Sequence, residues 1–169
     1  MRIGTRSALL ALGMSFAFGG HAMAGIGDTV QVNENHKNDL RPVRTQELPD
    51  GKIVRYQQYF DDVPVFAGEE TRFVDGTGAE SVGVSKLSAK ANGHFPADLR
   101  AAEQKATRAV HGGHVKEVQA YWYDESLWET PGAEGAVPAF LVKQESGQWT
   151  IVSATDNSVL KTWRQFPQS

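Results

Sequence analysis

Residues 54–69 read VRYQQYFDDVPVFAGE, a run of β-branched and aromatic residues interrupted by two aspartates. Val, Tyr and Phe favour strands, and a polar pair between two such runs favours a tight turn. Pro64 has no backbone N–H, which suits the start or the edge of a strand. The stretch therefore predicts two antiparallel strands joined at Asp61-Asp62.

The following residues extend this hairpin into a meander. Asp75-Gly76-Thr77-Gly78 has the composition of a hairpin turn, and Val82 and Val84 mark a returning strand. On the N-terminal side, residues 25–50 are mostly polar, and residues 33–39 are predicted to form a loop. We expect one antiparallel β subdomain over residues 25–90.

The spacing of apolar residues changes after residue 91. Pro96 suits the first turn of a helix, and Asp98 suits the positive end of the helix dipole. Gly112-Gly113 is expected to end the helix. Helical spacing gives an apolar stripe of Leu99, Ala102, Ala106, Ala109 and Val110.

Strand patterns return at residues 118–123, 139–143, 149–153 and 158–163. One helix followed by antiparallel strands predicts an α+β subdomain over residues 91–169. For the whole chain we predict an α+β fold of two small subdomains, with antiparallel sheets and an Ala-rich helix packed on the sheet.

The N-terminus has the pattern of a secretory signal peptide. Arg2 and Arg6 precede an apolar stretch over residues 7–20, and Ala22-Met23-Ala24 fits a cleavage site. We expect cleavage after Ala24 and a periplasmic or secreted protein. The alternative is an N-terminal membrane anchor, but the apolar stretch is shorter than the roughly 20 residues that span a bilayer.

Composition excludes several classes of function. Without Arg2 and Arg6 the chain has 15 basic and 20 acidic residues, which disfavours a nucleic-acid partner. The absence of cysteine excludes thiol catalysis, Cys-ligated zinc and iron–sulfur clusters. The sequence contains no H-E-x-x-H, G-x-S-x-G or phosphate-loop motif, so we expect neither an enzyme nor a cofactor.

Three groups of side chains remain as candidates for chemistry. His111 and His114, with His36, could bind a metal, although a dipole contact at the helix end also explains His111. In the pairs Asp61-Asp62 and Glu69-Glu70, neighbouring carboxylates should point in different directions and not at one substrate. A sugar or peptide platform, or a core with an amphipathic surface, would explain the aromatic residues Tyr121, Trp122, Tyr123 and Trp128.

The run from Val54 to Glu69 resembles the fungalysin/thermolysin propeptide signature, in which an aromatic-Gln-Gln segment and a turn precede Val-Pro-Val-Phe-Gly-Gly-Glu. Asp62 departs from this pattern, because the family usually has Gly in the turn. The part from Pro96 onward resembles a PepSY-type domain. Together the two resemblances cover roughly residues 45–163.

The resemblance implies a protein that binds a thermolysin-like zinc metallopeptidase, as inhibitor, folding helper or both. In the family a peptidase follows this unit; none follows Ser169, so we expect action in trans. The tail is similar in position to the segment that runs toward the enzyme, and it offers Trp163, Arg164 and Phe166 as partner-binding residues. The alternative is a frayed terminus in which Trp163 packs into the core. The rival hypotheses are a PepSY-type cell-envelope binding module with another partner, and a small metal binder or enzyme.

Overall fold

The Asp61-Asp62 pair forms the predicted tight turn. The computed structural model describes residues 36–128 and 135–165 of the chain. Strands β2 (Gly51–Phe60) and β3 (Val63–Asp75) pair antiparallel, with Phe60 opposite Val63. Asp61 and Asp62 have φ values of 47° and 66°, as a two-residue hairpin turn requires, and aspartate tolerates this conformation better than most residues.

Strand β1 (Asn38–Leu48) pairs antiparallel with β2. It lies in the mostly polar stretch before residue 50 and overlaps the loop that we predicted for residues 33–39. The prediction for residues 38 and 39 is therefore wrong. β1 is largely exposed at the edge of the sheet, so its sequence needs no apolar alternation. Side chains of the turn hold its start: Asp61 accepts from the backbone N of Lys37 at 2.9 Å, and Asp62 forms an ion pair with Arg41.

The predicted meander is confirmed by strand β4 (Glu80–Lys86), which pairs antiparallel with β3. Asp75 stabilises the turn between them. Its carboxylate accepts from the backbone N of Thr77 at 2.8 Å and of Ala79 at 3.0 Å. The Thr77 hydroxyl, which donates to the same carboxylate at 2.7 Å, and these backbone bonds hold the pKa of Asp75 below its usual value.

The predicted helix is also confirmed, as α1 (Leu99–Ala109). Asp98 is its N-cap and accepts from the backbone N of Ala101 at 2.9 Å. Ala102 and Ala106 are buried against Phe140 and Val152 of the sheet. Their small side chains allow α1 to lie close to the strands that carry Phe140 and Val152.

The remaining strands are β5 (Val115–Tyr123), β6 (Val137–Gln144), β7 (Gln148–Ser153) and β8 (Val159–Arg164), and they pair antiparallel in sequence order. A short parallel contact between Val65 of β3 and Trp122 of β5 joins them to the first strands. The result is one eight-stranded mixed sheet, ordered β1-β2-β3-β5-β6-β7-β8, with β4 beside β3.

The predicted α+β fold with antiparallel sheets is wrong. Of the described residues, 58% lie in strands and 11% in helices, so the fold is mostly β. Two features caused the error: the polar strand β1 has no apolar pattern, and the parallel contact at Val65 joins residues 57 positions apart in the sequence. The division into two subdomains at residue 90 stays a prediction.

The predicted signal peptide (residues 1–24) and Phe166 lie outside the described residues. Within the part that the structure describes, no helix has the length and apolar character needed to span a membrane.

Candidate functional site

The two glutamines of the propeptide-like motif shape the hairpin that carries it. Between Gln57 and Tyr59 the register of β2 against β3 shifts, so β3 bulges at residues 65–68. The Gln57 amide donates to the backbone O of Val65 at 2.6 Å and of Gly68 at 3.0 Å. Gln57 therefore supplies hydrogen bonds that the interrupted ladder cannot, and fixes the bulge in one conformation.

Gln58 ties the hairpin to the segment before the helix. It is fully buried, donates to the backbone O of Ser88 at 2.8 Å, and accepts from the backbone N of Ser88 at 2.8 Å. The Ser88 hydroxyl in turn donates to the buried carboxylate of Asp124 at 2.5 Å. The motif glutamines thus have structural roles in this protein.

The bulge directs two neighbouring apolar side chains to different places. Ala67 has a φ of 60°, which favours glycine, the residue usual in the propeptide motif at this position. Val65 is fully buried in a cluster with Phe60 and Trp122. Phe66 packs instead on the cluster around Tyr123, Leu141 and Ile151.

Phe66 belongs to a group of aromatic side chains that we call the aromatic face. Ala139 and Leu141 of β6 point toward this face, whereas Phe140 and Val142, which alternate with them, point toward α1. The aromatic face therefore lies on the side of the sheet away from the helix. Its members are Phe66, Tyr121, Tyr123, Trp128, Trp149 and Trp163.

Trp163 lies at the centre of the aromatic face. Its ring centroid is 5.6 Å from that of Phe66, 5.5 Å from Trp128 and 5.9 Å from Trp149. The interplanar angles of 42° to 59° describe tilted, interlocking rings. Such packing adds about 0.5–1.5 kcal/mol per pair beyond area burial, so the face is held rigidly.

The aromatic face is also accessible, and two lysines lie at its rim. Trp128 is 43% exposed, and Trp149 and Trp163 are half-buried. The Lys143 ammonium lies 4.8 Å from the Trp149 ring centroid, and that of Lys161 lies 5.2 Å from Trp128. Burial and the nearby Glu117 raise the pKa of the Tyr121 hydroxyl. The face therefore combines apolar area with a phenol hydroxyl and two lysine ammonium groups, of which that of Lys143 is paired with Glu117 at 3.0 Å.

The predicted partner-binding residues occupy strand β8 and the residues after it. Trp163 is ordered in β8 opposite Trp149 and is part of the aromatic face. Arg164 is exposed and pairs with Gln148 at the end of the strand. β8 forms an end of the sheet and, among the described strands, pairs with β7 alone. Partner binding by these residues stays a prediction.

The remaining candidates from the sequence do not converge. His111 and His114 are exposed in the loop after α1, and the described residues contain no group of three or more His, Asp or Glu side chains that could hold a metal. The carboxylate pairs diverge as expected. Asp61 contacts His36 and Asp62 contacts Arg41, while Glu69 lies near Arg55 and Glu70 near Arg72.

One side-chain group was missed from the sequence. His36 Nδ1 lies 2.5 Å from Asp61, and the ring centroid of His94 lies 5.2 Å from that of His36. The group borders a cavity of about 270 Å³ whose apolar walls include Phe95 and Trp122. The His36 bond, the Lys37 backbone N and the charge of His94 hold the pKa of Asp61 below its usual value. Sequence separations of 25 and 58 residues gave no local signal for this group.

A scan of protein-family models found no match to the chain, and a search of curated proteins found no similar sequence.

Proposed function

We propose that this exported protein binds a thermolysin-like zinc metallopeptidase, as an inhibitor, a folding helper or both, and that it performs no catalysis itself. We also propose that residues 1–24 are removed and that the mature protein is periplasmic or secreted. The aromatic face and strand β8 are the proposed contact surface.

The contact between Phe66 and Trp163 carries the proposal. Phe66 belongs to the stretch that resembles the propeptide motif, and Trp163 belongs to the tail that the same resemblance assigns to the enzyme. Their ring centroids lie 5.6 Å apart on one surface, although the residues are 97 positions apart in the sequence. Two segments chosen for their resemblance therefore meet where a partner could contact both.

The chemistry of this surface suits a protein partner. Trp, Tyr and Arg are the residues that most often carry the binding energy of protein interfaces, and they act best on a preorganised surface. The tilted rings of the aromatic face provide that rigidity. A standard interface buries ~1,600 Å² in total, so residues around the face would have to contribute as well.

Strand β8 offers a second mode of contact. An extended backbone can pair with the exposed edge of a sheet, and β8 is such an edge among the described strands. Trp163 and Arg164 alternate along β8, so a partner strand at this edge would meet both side chains. Backbone pairing would supply affinity, and the aromatic face would supply specificity.

The test is a titration of the purified protein against thermolysin-like peptidases, including those of the same organism, while peptide hydrolysis is measured. A parallel assay follows refolding of a denatured peptidase with and without the protein. Stoichiometric inhibition or faster recovery of activity supports the proposal. No effect in either assay, with no complex on gel filtration, contradicts it.

A second candidate function is binding of another protein or a glycan of the cell envelope. The exposed Trp128 ring, with Lys161 beside it, favours this alternative because sugars and peptides both stack on such rings. The test is a pull-down from cell-envelope extract. Enrichment of one partner by the wild type but not by Trp128→Ala would establish this function, provided that the protein has no effect on peptidases.

A further inference from the structure

The two faces of the sheet formed by β1 to β4 differ in how their charges are compensated. On one face, Arg72 donates to Glu70 at 2.6 Å and to Glu80 at 3.0 Å, and Ser85 donates to the same Glu70. The Arg72 guanidinium also lies 4.6 Å from the Tyr56 ring centroid. The single arginine of this network is therefore neutralised by two carboxylates.

The opposite face, which we call the cationic groove, has an excess of positive charge. Its charged residues are Arg44, Arg55, Lys86 and Glu69. The one carboxylate, Glu69, forms an ion pair with Arg55 at 3.7 Å and stands directly opposite Lys86 in the β3–β4 ladder, so one negative charge faces three cations. Among the described residues, neither Arg44 nor Lys86 has a salt-bridge partner.

Arg44 and Arg55 stand directly opposite each other in the β1–β2 ladder. Like charges at opposed positions destabilise a sheet. Both side chains are exposed, so solvent reduces this cost, and the ion pair of Arg55 with Glu69 offsets part of it. Residues that break a local stability rule are expected at functional sites.

The cationic groove contains two neighbouring, open cavities with mixed walls. A cavity of about 420 Å³ is lined by Arg55, Lys86 and the exposed Val84, among others. A second cavity of about 70 Å³, lined by Arg44 and Ile53, shares Arg55 and Thr71 with the first. The two cavities therefore adjoin at Arg55 and Thr71, and their walls combine cations with apolar side chains.

We propose that the cationic groove binds an extended acidic peptide segment of a partner protein. Arg44 and Arg55 would each contact a carboxylate, because guanidinium groups match carboxylate geometry with paired N–H donors. Ile53 and Val84 would contact apolar side chains between the acidic ones. This site is separate from the aromatic face, and it carries positive charge in a chain whose net charge is −3.

The test uses a fluorescein-labelled peptide of eight alternating Glu and Val residues, with fluorescence anisotropy as the readout. We expect saturable binding that weakens with salt, and no binding of the corresponding Lys-Val peptide. Arg44→Glu and Arg55→Glu should each weaken binding by about tenfold or more. The matched control is Arg100→Glu, a charge reversal on the exposed side of α1, which should leave the affinity unchanged.

Thermal unfolding separates loss of the site from loss of the fold. Arg44→Glu should raise the midpoint of unfolding, because it replaces a like-charge pair by an ion pair with Arg55, while it weakens peptide binding. Equal weakening by Arg44→Glu and Arg100→Glu would overturn the proposal in favour of unspecific charge attraction. Binding of heparin without binding of the Glu-Val peptide would overturn it in favour of a polyanion.

Discussion

The side-chain amide of Gln58 makes two hydrogen bonds with the backbone of Ser88, one to its O and one from its N, both at 2.8 Å. The residues are 30 positions apart, and both are buried. The Gln58 side chain thus makes the hydrogen bonds to the Ser88 backbone that a neighbouring strand would otherwise make. It connects the hairpin of β2 and β3 to the segment that precedes α1.

Gln58→Leu should lower the free energy of unfolding by roughly 2–5 kcal/mol, because two buried backbone groups of Ser88 lose their partner. Urea unfolding followed by tryptophan fluorescence measures the change. The control is Gln119→Leu on β5, where the half-buried amide accepts one long bond from Tyr121, and the expected loss is less than about 1 kcal/mol. Equal losses would contradict the role assigned to Gln58.

Ala67 provides a test of the bulge. At its φ of 60°, Ala67→Val should destabilise the protein by about 2 kcal/mol, because a β-branched side chain clashes with the backbone in this region. Ala67→Gly should change stability by no more than about 1 kcal/mol, since relief of strain opposes the greater freedom of the unfolded chain. Ala89→Val, at an exposed position without positive φ, is the control, and a loss there equal to that of Ala67→Val would refute the explanation.

Asp156 should titrate with a pKa of about 2, because the Ser153 side chain and the backbone N and hydroxyl of Ser158 stabilise its carboxylate. A lowered folded-state pKa stabilises the protein above the unfolded value of 3.8, and this stabilisation is lost as pH falls toward 2. An NMR titration of the side-chain carboxyl carbon measures it. A midpoint at 3.8 or above would show that the turn does not hold the charge.

Trp128 and Trp163 should differ in their effects on stability. Trp163→Ala removes the central ring of the aromatic face and should cost about 3 kcal/mol. Trp128→Ala removes a ring that is 43% exposed and should cost about 1 kcal/mol or less. Urea unfolding of the two variants checks this order, and a larger loss for Trp128→Ala would place the structural centre of the face elsewhere.

The sequence predicted the elements whose patterns are local. The hairpin at Asp61-Asp62, the turn at Asp75 and helix α1 have turn residues, a cap and apolar periodicity that follow directly from backbone and side-chain chemistry. Strand β1 could not be predicted in this way. An exposed edge strand is specified by its pairing with β2 and by contacts such as Arg41 to Asp62, which are distant in the sequence.

The candidate site was only partly predictable. Trp163 was proposed from the sequence because it is a large aromatic side chain in the tail. Its contact with Phe66 depends on the bulge after Val65, which changes the face of the sheet to which the following side chains of β3 point. The group of His36, Asp61 and His94 comes from three separate segments. The parallel contact between β3 and β5, which made the α+β prediction wrong, is likewise a product of tertiary packing.

Calorimetric titration of the purified protein into a thermolysin-like metallopeptidase of the same organism tests the proposed function most directly. We predict a one-to-one complex with the wild type. The affinity should fall by about tenfold or more with Trp128→Ala, because this variant removes an interface ring and leaves the fold nearly unchanged. Tyr56→Ala, which removes an aromatic ring that packs on Arg72 and not on the aromatic face, should leave the affinity unchanged. Absence of heat and of a complex with every such peptidase would contradict the proposed function.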